Sequence, residues 1–213
     1  MKNLLFVVSA ILLLLLSYMH GCAHKKPKWL VEASIQDVVN HTLLEKAGVK
    51  VVKLPERAYD QELYPYIQQF INDAKEHGVL IPSETSDRLR QVVYTDELSM
   101  KGGARVMATC NRYYSTQKTL GGSKKLHWMT IEVLRKETAE YVGTGSNKII
   151  LLRELMYHEL FHCLFNKGHL PDGMSGIMSP TFKQGSKRAF THWKQLVKDM
   201  FSAEFFKKIP NVG

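Results

Sequence analysis

The chain has 213 residues, 45% apolar and 23% charged, which suits a globular domain with its own core and excludes disordered, collagen-like and polytopic membrane chains. Its net charge of +9, from 29 basic and 20 acidic residues, is scattered in pairs such as Lys124-Lys125 and Lys187-Arg188. Without a basic helix or an aromatic-interleaved basic stripe, nucleic acid is not an expected partner.

Residues 1–21, MKNLLFVVSAILLLLLSYMHG, join Lys2 to a 13-residue apolar run from Leu4 to Leu16. That run is short for a spanning helix and right for an export signal. Cys22 follows the small Gly21, and the junction resembles a bacterial lipoprotein signal, although Met19 and His20 depart from the usual pattern. The resemblance implies cleavage before Cys22, a lipid on that cysteine as membrane anchor, a tether over 22–28 and one domain over 29–213. It places the domain in the cell envelope, at the outer membrane or the periplasmic face. An uncleaved anchor or ordinary signal cleavage is the alternative.

Further along, weak helical spacing marks 29–46, and 49–54 is a strand candidate. Tyr66, Ile67, Phe70, Ile71 and Ala74 predict a helix over 60–77, with Pro65 in its first turns and Gly78 as its stop. Strands are expected over 89–94, 104–110 and 127–134, and the polar, glycine-containing segment 115–125 reads as a loop. The 127–134 strand is a candidate edge that aligns an extended substrate. Gly143 to Asn147 predicts a turn, with Ser146 or Asn147 capping a helix over 148–165 that contains neither glycine nor proline. Glycine and proline punctuate 166–185. A single amphipathic helix over 189–208 would turn Trp193, Leu196, Val197, Met200 and Phe201 inward. This order of elements predicts an α+β fold.

The chemistry concentrates in His158-Glu159-Leu160-Phe161-His162. Histidines at i and i+4 stand one above the other on a helix, so both imidazoles can reach one metal ion. Zinc takes neutral imidazole nitrogens, and a catalytic zinc keeps three protein ligands and a water whose pKa it lowers. Glu159 stands beside that water as general base. With 9 His and 13 Glu in the chain, a chance H-E-x-x-H match has a probability of about 0.02. His169 follows a reversal for which Asn166 and Gly168 are suited, because both tolerate left-handed backbone angles. Asp172 is the rival third ligand, since carboxylates also bind zinc. His127, His192, His41 and His77 stand alone and read as surface histidines, while Met100, Met107, Met156 and Met200 read as packing residues.

HELFHCLFNKGH followed by Gly176-Ile177-Met178-Ser179-Pro180 resembles the metzincin zinc metalloproteases, and more narrowly small bacterial envelope metalloproteases that read HExxHC before a turn and a histidine. The likeness covers about 104–180. It implies a small zincin-like α+β domain with a mixed sheet, a long HExxH helix and a C-terminal helix. It also implies one Zn2+ held by His158, His162 and His169, Glu159 as base, Met178 as the turn methionine, and hydrolysis of a peptide or protein substrate. The third histidine comes one residue later than the usual metzincin pattern. Cys163 lies about 100° around the helix from His162 and so reads as structural. A bridge from Cys163 to Cys110 suits an exported protein and is favoured by the narrower likeness, with two buried free thiols as the alternative. Two other functions stay open: a non-catalytic envelope lipoprotein with a structural or vestigial zinc, and a zinc amidase on cell-wall peptides.

Overall fold

The computed structural model describes residues 54–99, 106–119, 122–143, 145–180 and 188–212. Cys22, the predicted signal and tether, the helix over 29–46 and all of the 49–54 strand but Leu54 lie outside these residues. Contacts divide the chain into one unit of Val52–Gln117 with Ser123–Gly213, and another of Met1–Val51 with Lys118–Gly122. The first contains His158, His162 and His169.

That unit is α+β. Strands β1 (Ala58–Tyr59), β2 (Leu89–Thr95), β3 (Ala108–Thr119) and β4 (Gly122–Leu134) form a mixed sheet in the order β1-β2-β4-β3. β1 runs parallel to β2, and β2 parallel to β4 with an irregularity between Leu89 and Gln91. Only two residues separate β3 from β4, and neighbours so joined must be antiparallel, because a parallel pair needs a long crossover.

Helix α1 (Tyr64–Glu76) forms as its spacing predicts. Pro65 fits the first turn, where its missing N–H is no loss. Ile67, Phe70 and Ala74 are buried. Gly78 at φ 79° ends the helix, and the Val79 N–H donates to the Ala74 carbonyl at 2.8 Å. A short helix, α2 (Ser83–Ser86), precedes β2.

Four expectations need correction here. The 115–125 segment is not a loop: β3 and β4 run through it, and the strand placed over 104–110 extends to Thr119. Tyr and Thr suit a pleated surface, and cross-strand ring pairs hold the hairpin. Tyr113 stacks on Trp128 at 5.3 Å and Tyr114 on His127 at 4.4 Å. Second, the 127–134 segment is interior, between β2 and β3, so β3 is the edge on that side. Third, the helix cap falls one residue early, at Gly145 with φ 73° and no side-chain cap. Fourth, the last helix is broken into a single helical turn at 188–191, α5 (Trp193–Met200) and α6 (Ala203–Lys208). Ser202 breaks it, because its Oγ accepts from the Phe205 N–H at 3.2 Å and starts a new helix. The expected inner face survives, with Leu196, Val197, Met200 and Phe201 buried. One further helix, α3 (Arg135–Val142), carries no strong apolar period.

Helix α4 (Ser146–Phe165) is the core element. Leu151, Leu152, Leu155, Met156, Tyr157, Leu160, Phe161, Cys163 and Leu164 are all buried on it. It packs against α1 and α3. Phe70 sits edge-on to Tyr157 at 5.1 Å and to Phe201 at 5.2 Å, joining α1, α4 and the end of α5. The Tyr157 hydroxyl donates to Asp73 at 2.5 Å, which pins α4 to α1.

Candidate metal centre

His158 and His162 lie in the last two turns of α4, which ends where Asn166 adopts φ 55° and ψ 41°, the left-handed conformation that asparagine tolerates. Beyond this reversal the chain returns His169 to the helix. The three Nε2 atoms form a triangle, with His158 to His162 at 2.9 Å, His158 to His169 at 3.0 Å and His162 to His169 at 3.2 Å. Three imidazoles at tetrahedral corners with zinc–nitrogen bonds of 2.0–2.1 Å would stand about 3.3 Å apart.

The tautomers decide what the triangle can hold. Nδ1 of His158 is 2.7 Å from the Ile177 carbonyl, and Nδ1 of His162 is 2.5 Å from that of Lys167. A carbonyl only accepts, so each Nδ1 carries the hydrogen and each Nε2 of the neutral ring presents a lone pair. Two lone pairs at 2.9 Å do not hydrogen-bond. They fit a shared cation, and the carbonyls are the orienting partners that metal-bound histidines use. A proton is a poor substitute. Burial, then the neighbouring His162, holds His158 well below the ordinary histidine range. Burial takes His162 down to about 4 and also lowers His169.

His169 is therefore the third member of the group that could hold a metal ion, while Asp172 is exposed and outside it. Met178 is fully buried in the turn 176–179, which closes through the Ser179 N–H to the Gly176 carbonyl at 3.1 Å. That turn supplies the Ile177 carbonyl to His158, and its Met178 carbonyl accepts from the Leu170 N–H at 2.8 Å, next to His169.

Glu159 is 5% exposed, and burial pushes its carboxyl up to about 8 against a hydrogen bond from the Cys110 backbone. Cys110 also forms the disulfide to Cys163, with Cα atoms 5.5 Å apart. One residue of β3 thus holds both the Glu159 carboxyl group and the end of the helix that carries His158 and His162. Arg112, two residues on, donates to the Cys163 carbonyl, and its charge contributes to lowering His162. The Ile177 and Lys167 carbonyls, the Cys110 amide and Arg112 were missed from sequence. Backbone groups leave no residue-type signal, and Arg112 is unremarkable until the β3 register is known. Of the histidines read as surface residues, His127 stacks on Tyr114, and His77 and His192 are exposed.

No family model matches the chain, and neither a curated protein nor a solved structure matches it.

Proposed function

We propose that the chain is a zinc-dependent endopeptidase of the bacterial envelope, anchored through a lipid on Cys22. The observation that carries this reading is the convergence of three Nε2 atoms, two of them fixed as lone-pair donors by backbone carbonyls, on a helix that also holds a buried carboxylate. The likeness of HELFHCLFNKGH and GIMSP to metzincins supports it.

In this reading His158, His162 and His169 hold the ion, and Glu159 serves the reacting water. Zinc, when bound, supplies a Lewis acid and lowers the pKa of water. A cation held by the three histidines would lower the Glu159 pKa, which burial alone pushes up to about 8; the carboxylate then takes a proton from water as it attacks the peptide carbonyl and returns it to the leaving amine. Apolar walls and the Cys110 amide hold that carboxylate in place. Three converging ligands leave the fourth position of a tetrahedral ion to water or substrate, whereas a structural zinc is normally closed by four protein ligands.

The test uses the chain exported without a histidine tag. Metal content per mole and cleavage of an unbiased peptide library are measured for the native protein and Glu159→Gln. The expected result is one zinc in both, with cleavage reduced at least about 100-fold in the variant. Undiminished cleavage by Glu159→Gln removes the assigned base. Zinc without cleavage in either protein favours a structural centre, and cleavage confined to cell-wall peptides favours an amidase.

A further inference from the structure

Beside the metal centre, the face of the hairpin that meets α4 carries a line of residues the reaction above does not use. Alternate residues of a strand share a face, so Cys110, Arg112 and Tyr114 line up along β3. Cys110 is bonded to Cys163, and Arg112 touches the Cys163 carbonyl one residue from the ligand His162. Tyr114 is 69% exposed and lies flat on His127 of β4, with an interplanar angle of 10°. Nη1 of Arg88 is 3.2 Å from Nδ1 of His127. A guanidinium only donates, so His127 accepts at Nδ1 and carries its hydrogen on Nε2.

This cluster is cationic, and no ion pair among the described residues neutralises it. Among the described residues, ion pairs join Arg57 to Asp87, Lys148 to Glu62 and Lys208 to Glu204, and none includes Arg88 or Arg112. Among the described residues, the buried N–H groups at Nε of Arg112 and Nε2 of His127 have no acceptor. A buried donor without a partner is costly, and a ligand that brings an acceptor relieves the cost. The exposed Tyr114 ring stacks on the His127 ring of this donor set. Guanidinium groups favour planar carboxylates, which accept two N–H bonds at once. Burial and the charges of Arg88 and Arg112 all keep His127 neutral, which leaves it a donor at Nε2 alone.

We propose that Arg88, Arg112 and His127 form a carboxylate-binding subsite next to the metal centre, which selects peptides with an acidic side chain close to the scissile bond. The selectivity rests on the hydrolase reading, whereas the binding does not. β3 ends the strand order of the sheet, so among the described residues the subsite adjoins no further strand on that side.

The test measures binding of N-acetyl-aspartate N-methylamide and its asparagine counterpart to the zinc-loaded full chain, with the His127 ring resonances as a local reporter. The aspartyl probe should bind about tenfold tighter and shift those resonances. Arg88→Gln and Arg112→Gln should each remove most of that advantage. Arg112 also supports the Cys163 carbonyl, so Arg88→Gln, at an exposed position, keeps the test decisive if the Arg112 variant folds poorly. Equal binding of the two probes overturns the subsite, and so does an advantage unchanged in both variants, which would put the carboxylate on the metal. If the aspartyl probe binds as expected and no library peptide is cut, the subsite stands and the hydrolase reading falls. Cleavage without preference for acidic residues overturns the selectivity.

Discussion

The carbonyl oxygen of Ile177 lies 2.7 Å from Nδ1 of His158, although the two residues are 19 positions apart. The turn that supplies this carbonyl is closed by Ser179, 2% exposed, whose Oγ accepts from the Gly176 N–H at 2.9 Å and donates to the Met174 carbonyl at 3.3 Å. Ser179→Ala deletes both bonds and leaves the ligands untouched. Groups that orient metal ligands are worth 10–100-fold in affinity, so zinc binding should weaken by about tenfold. Competition with a chromophoric chelator measures this, and native affinity in the variant would mean that the turn does not orient His158.

The third ligand separates cleanly from its sequence rival. His169→Ala should release zinc at chelator concentrations that leave the native site full. Asp172→Ala should bind zinc as the native chain does, because Asp172 is exposed and outside the histidine group. Metal content after dialysis reads both, and the opposite ranking would move the third ligand to Asp172.

The Cys110–Cys163 bridge closes a loop with a sequence separation of 53. Loop-closure entropy gives such a cross-link about 4 kcal/mol of stability, chiefly by restricting the unfolded chain. The double variant Cys110→Ala with Cys163→Ala should lose about that much in urea unfolding. A loss below about 1 kcal/mol would show that the unfolded state is already restricted there.

Removing the metal exposes the titration of the histidines. Folding lowers the His162 pKa from 6.5 to about 4, so between these values the unfolded chain binds more protons than the folded one. Stability of the metal-free chain should therefore be full above pH 6.5, decline as pH falls to about 4 and level off below, by about 3 kcal/mol from His162 alone. Burial moves His158 and His169 in the same direction. Urea unfolding of His162→Gln across this range should give a shallower decline, and parallel curves would remove the assignment.

What the sequence made legible follows from where its signals lie. The long helix and its end were readable because 148–165 lacks helix breakers and Asn166 tolerates the left-handed angles found there. The histidine spacing carried two members of the cluster that could hold a metal ion, and the reversal carried the third. The hairpin was hidden because polar composition suggested a loop, whereas the ring pairs Tyr113–Trp128 and Tyr114–His127 across β3 and β4 join it as a strand pair. The last helix was overextended because its apolar face continues through Phe201, while the break is a local capping bond at Ser202. The carbonyls that fix the tautomers belong to Ile177 and Lys167, whose side chains say nothing about it.

The segment between the second and third histidines is stitched to a much later stretch of chain. The Gly168 N–H donates to the Pro210 carbonyl at 2.8 Å and the Val212 N–H to the Asn166 carbonyl at 3.0 Å. The Asn166 side chain donates to the Val212 carbonyl at 2.9 Å, and Lys167 bridges Asn211. A chain emerging in order from the ribosome or a translocation channel thus presents all three histidines and Glu159 about forty residues before the strip that seats the loop between them. A chain interrupted before residues 209–212 would carry all three histidines and Glu159 but lack the backbone bonds that seat the loop between His162 and His169.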